Sequence, residues 1–101
     1  MTGIGLRIKE LRQERDLTME MLVADMNARY MFEKPLNKSM VSRWENGDNE
    51  PSLENAKYLS MYFDVSLDYL IGNSEVRTPS RLLALAKKVS EYSKKGESND
   101  D

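Results

Sequence analysis

Short capping residues recur at the heads of successive apolar-periodic runs. Thr18, Asn37, Ser52, Ser66 and Thr78 each precede a stretch whose hydrophobic side chains return about every three to four residues. No segment alternates apolar and polar residues with the period of about two that a half-buried strand needs. The spacing therefore predicts an all-α chain, a compact five-helix bundle with one further amphipathic helix appended at the C-terminal end. At 101 residues the chain has the length of one domain. A chain of that size buries about 60 to 65 per cent of its unfolded surface and needs no staples.

The first helix is expected over Ile4 to about Arg15, with Ile4, Ile8 and Leu11 on one stripe and Leu17 closing it. Thr18 caps the second, and Glu20 in its first turn suits the positive end of the helix dipole. Leu22, Met26 and Tyr30 continue the buried face. That helix is expected to be long, because the pattern is unbroken until Glu33-Lys34-Pro35, where the proline disfavours helical geometry at Lys34. Pro35-Leu36-Asn37 then reads as the turn, and Asn37 caps a third helix, Lys38 to Asn46, which Gly47 stops.

After the polar loop Asp48-Asn49-Glu50-Pro51, a fourth helix presents Leu53, Ala56, Leu59 and Phe63 on one face. A short fifth follows Ser66, with Leu67, Leu70 and Ile71 inward and Gly72 or Asn73 at its end. Residues 1–73 make the bundle, and residues 74–92 a linker and the appended helix, whose stripe is Leu82, Leu85, Ala86, Val89 and Tyr92. This last helix either packs on its own bundle or joins two copies of the chain. Residues 93–101 are polar, without apolar anchors, and are expected to be disordered.

Composition narrows function by what it lacks. With no cysteine and no histidine, disulfides, thiolate chemistry and the commonest general base and metal ligand are all missing. The chain is read as a non-enzyme that needs no cofactor and no metal. No apolar stretch approaches the roughly 20 residues that cross a bilayer, and no signal-peptide layout opens the sequence, so it is expected to be soluble and cytoplasmic, with no membrane partner. The seven methionines fall mostly at core phase and read as gap-fillers.

Lys38, Ser39, Ser42 and Arg43 project together from the third helix, while Val41 and Trp44 point to a core. A charged helix face of this kind is usually just solvated, and the formal net charge of −2 is not the footprint of a polyanion binder. The charges are segregated, however. Between Arg29 and Asn46 the bases Arg29, Lys34, Lys38 and Arg43 face only Glu33 and Glu45, whereas from Gly47 to Glu75 Lys57 is the sole base among six acids.

Ser42-Arg43-Trp44-Glu45-Asn46-Gly47 closes the third helix. With Ile8-Lys9-Glu10-Leu11-Arg12, Leu17-Thr18, Glu50-Pro51-Ser52-Leu53 and the run from Phe63 to Gly72, it resembles the Cro/phage-repressor helix-turn-helix family, also called the xenobiotic response element family. The resemblance extends from about Ile4 to Gly72. It implies a third helix lying in the major groove of double-stranded DNA, with base contacts from Lys38, Ser39, Ser42 and Arg43. The chemistry fits: Arg43 can donate two parallel bonds to guanine O6 and N7, Lys38 can reach the same acceptors, and serine serves any base. It also implies phosphate contacts from Thr18, Asn37 and Asn46, an ion pair between Arg12 and Glu45, and a homodimer on a palindromic operator whose half-sites lie about 34 Å apart.

Three departures from the family pattern stand out. Ala28 to Leu36 lengthens the second helix, the turn, or both, and its Arg29, Tyr30 and Lys34 either reach the DNA backbone beside the groove or cover the recognition helix. Met19 occupies the position where many members carry a phosphate-binding glutamine. Asp48-Asn49-Glu50 is acidic where relatives often offer lysine, which lowers nonspecific affinity. The leading expectation is a DNA-binding repressor. The alternative is a protein-interaction module, antitoxin or regulatory partner, that keeps the bundle with weak or no DNA binding.

Overall fold

The computed structural model describes residues 3–79. The run from Leu82 to Tyr92, its possible dimerisation and the tail 93–101 lie outside the described residues. Within them the chain is all-helical, with α1 (Ile4–Glu14), α2 (Met19–Arg29), α3 (Lys38–Asn46), α4 (Leu53–Phe63) and α5 (Leu67–Leu70). Local chemistry places most of the boundaries. The side chains of Thr18, Asn37, Ser52 and Ser66 each accept a hydrogen bond from the backbone N–H three residues on, at 2.9–3.1 Å. Gly47 ends α3 at φ 81° and Asp64 ends α4 at φ 54°, both left-handed.

Side chains from every helix share one core, in which Ile8, Leu22, Met26, Val41, Leu59 and Leu70 are fully buried. α1 and α2 both pack on α3, and α4 on α5. Tyr62 ties α4 to α2 by donating its phenol hydrogen to Asp25 Oδ2 at 2.5 Å. Burial first, and that hydrogen bond second, push the phenol up to about 12.

The second helix is not long. It ends at Arg29, and Tyr30 turns extended at φ −120° and ψ 145°, so the added length is all in the turn. Two tertiary effects outweigh the helical pattern there. Tyr30 and Phe32 leave the helix axis to pack on Tyr58 of α4, Tyr30 tilted and Phe32 edge-on, with ring centroids 4.9 and 5.0 Å from it. The Asn27 side-chain amide both donates to Leu36 O at 2.9 Å and accepts from Leu36 N at 3.0 Å, closing the turn as a strand neighbour would.

Apolar phase overstated burial at three further places. Leu53 is 70% exposed, Ile71 is exposed and Leu67 only half-buried. These positions mark where a helix face runs past its partners. Among the methionines, Met26 is buried, but Met21, Met31 and Met61 are exposed, Met31 at 97%, so gap-filling describes only part of the set.

Beyond α5 the chain folds back on the bundle. Ser66 donates its N–H to Arg77 O at 2.8 Å and its hydroxyl to Val76 O at 3.1 Å. Arg7, buried on α1, reaches Glu75 at 3.0 Å and lies 4.0 Å from the Tyr69 ring centre. Arg77 pairs with Glu14 at 2.8 Å.

Candidate nucleic-acid interface

α3 is gripped along its inner side. Val41 is fully buried and Trp44 is 4% exposed, while Gly5 of α1 lies so close that a methyl group there would stand 1.9 Å from Trp44 O. Arg12 forks onto Glu45 with Nε to Oε2 at 2.7 Å and Nη2 to Oε1 at 2.8 Å. Its Nη1 donates to Leu17 O at 2.7 Å. The Glu45 side chain is only 2% exposed, and its hydrogen bonds push the Arg12 guanidinium above its ordinary range, against an opposing effect of burial. Helix, α1 and the α1–α2 link are therefore joined through one guanidinium.

With its inner face held, α3 turns the opposite one to solvent. Lys38, Ser39, Arg43 and Asn46 are exposed and Ser42 is half-buried beside them, with Asn46 Nδ2 donating to Ser42 Oγ at 3.5 Å. At about 100° of turn per residue, Lys38 and Glu45 mark one edge of this face and Arg43 and Met40 the other. The first edge meets α2, where Glu20 lies 3.3 Å from Lys38 Nζ. The second meets the long turn, where Met40 shares a shallow cleft with Phe32, Glu33, Lys34 and the start of α4. Met40 is half-buried there.

The residues expected to meet phosphate are thus distributed. Thr18 and Asn37 stand exposed at the N-termini of α2 and α3, and Asn46 at the last turn of α3. Lys34 stands beside the second edge of α3. Arg29 faces elsewhere, 3.8 Å from Asp25 and 5.0 Å from the Tyr62 ring centre. Sequence reasoning gave Glu20 only to the helix dipole and gave Asn27 no role. Neither the α2–α3 crossing that brings Glu20 to Lys38 nor the turn that Asn27 closes leaves a local signal. Among the described residues no group of acids could hold a metal ion, and no helix is long and apolar enough to cross a membrane.

The helix-turn-helix family model matches residues 8–70. The chain belongs to this Cro/C1-type helix-turn-helix family, a family of DNA-binding domains. It is also 28% identical over 72 residues to the HTH-type transcriptional activator BcrR of Enterococcus faecalis, a match covering 71% of this chain and 31% of that protein. The chain thus spans under a third of the length of that relative. No solved structure matches it significantly.

Proposed function

We propose that this helix-turn-helix protein is a sequence-specific transcription regulator that binds a palindromic operator as a homodimer, with α3 in the major groove. The observation that carries the reading is the split of α3 into a gripped face, Val41, Trp44 and Glu45, and an open polar one. Ser39, Ser42, Arg43 and Lys38 are assigned to base edges. Thr18, Asn37, Asn46 and Lys34 are assigned to phosphates, where backbone N–H groups at the two helix N-termini add to the attraction. Arg29 is the weakest of the phosphate candidates, because its guanidinium already faces Asp25 and Tyr62. Occupying an operator represses by exclusion. The similarity to a protein named as an activator favours a second reading, in which the bound domain recruits instead.

Selection of bound duplexes from a random pool tests both specificity and symmetry. A two-fold site with half-sites about 34 Å apart is the expected product. Arg43→Ala should erase preference at one base pair per half-site, a loss of roughly 1 to 3 kcal/mol in discrimination. Lys34→Ala should weaken all duplexes alike and flatten the salt slope by about one unit. If the protein binds no duplex even at low salt, the interaction-module reading replaces this one.

A further inference from the structure

We propose that Glu20 is a specificity-determining residue: it positions Lys38 for the base edges and disfavours the phosphate backbone, so that the pair selects a G·C base pair at the entry of α3. The proposal rests on the reading of α3 as the base-contacting helix. Glu20 is in the first turn of α2 and Lys38 is the first residue of α3, and their charged ends stand 3.3 Å apart with side chains 63% and 64% exposed. So open a pair contributes little to folding, and both charged ends remain accessible to a ligand on this edge of α3.

Free of a partner, a lysine on its flexible stem is a point charge drawn to the nearest phosphate, which carries no sequence information. A carboxylate beside it changes that choice. The couple is neutral as a unit, and Glu20 repels phosphate, so the backbone loses its hold on Lys38. In the major groove the same couple finds two complementary edges: the ammonium donates to guanine O6 or N7, and the carboxylate accepts from cytosine N4–H2. Displacing water from the interface lowers the local dielectric and strengthens the pair where it is used. Arg12 lies close enough to add to the field around the carboxylate, but it is committed to Glu45, which leaves Lys38 as the partner able to leave the protein surface. Met19, next to Glu20, brings no competing polar group.

The test is selection from a random duplex pool with the full chain, its Glu20→Ala, Lys38→Ala and double variants, and Arg43→Ala as a reference. Because the pair is exposed, all of these should remain folded, with the Glu20 variants lowering the thermal midpoint only by the small amount that a first-turn carboxylate contributes through the helix dipole. Glu20→Ala and Lys38→Ala should each lose about tenfold or more in preference, at the same G·C pair, and the double variant should lose no more than either single one. Glu20→Ala should also steepen the salt slope by about 0.9, as Lys38 turns to a phosphate. A Glu20→Ala protein with unchanged base preference and Arg43-dependent selection intact overturns this inference alone. Selection of no sequence by the parent chain overturns it together with the base-reading role of α3.

Discussion

Arg12→Ala is expected to destabilise the domain by about 3 to 5 kcal/mol, because it strands a buried carboxylate. Glu45 is 2% exposed at its side chain and takes both of its short hydrogen bonds, 2.7 and 2.8 Å, from this one guanidinium. Leu17 O would lose its 2.7 Å donor as well. Set against the roughly 5 to 15 kcal/mol that keeps a domain folded, the change puts much of the population at risk of unfolding near 37 °C. Chemical denaturation measures it directly, and a loss below about 1 kcal/mol would mean that water reaches Glu45 and the pair is not buried. The joint replacement Arg12→Met with Glu45→Met separates charge from contact. A desolvated ion pair costs nearly as much to bury as it returns, so the apolar double variant should recover most of the loss. If it recovers nothing, the fork itself is what holds α3 in register.

How far such a site can be read from sequence depends on how local its causes are. The N-caps were legible because each one closes on a backbone N–H three residues away. Gly47 was legible because few other residues take φ 81° without strain. The end of α2 was not, since Tyr30 and Phe32 leave the helix for a ring on α4, far along the chain, and Asn27 supplies the turn with its missing partner. Phase identifies the face of a helix but not where that face runs out of neighbours. Hence Leu53 and Ile71 sit in register with the core and yet line a shallow open cleft with Ile4 and Pro51. Arg12 and Glu45 are 33 residues apart and only family resemblance connected them in advance. Glu20 and Lys38 had no such help, which is why their meeting appears only in three dimensions.

Gly5→Ala should destabilise the domain although it places a better helix former inside a helix. Elsewhere in a helix interior that exchange stabilises by roughly 0.5 to 1 kcal/mol. At Gly5 the added carbon would stand 1.9 Å from Trp44 O, 3.0 Å from Trp44 C and 3.3 Å from Glu45 Cα. All three are backbone atoms, so no side chain can rotate away, and α1 must lift off α3. Overpacking of this kind costs on the order of 1 to 3 kcal/mol or more, which outweighs the propensity gain and reverses the sign. A loss of that size lowers the thermal midpoint by about 4 to 8 °C per kcal/mol in a domain this small. Gly3→Ala is the steric control, since open space surrounds that position; as Gly3 is the N-cap of α1, the poorer cap alone should cost no more than about 1 kcal/mol, less than the clash at Gly5. The displacement also reaches the hold on α3. Lifting α1 stretches the Arg12–Glu45 fork that fixes α3, so Gly5→Ala and Arg12→Ala share one cause. Their combined cost should fall short of the sum of the two. A Gly5→Ala protein at least as stable as the parent would show that α1 and α3 do not approach this closely.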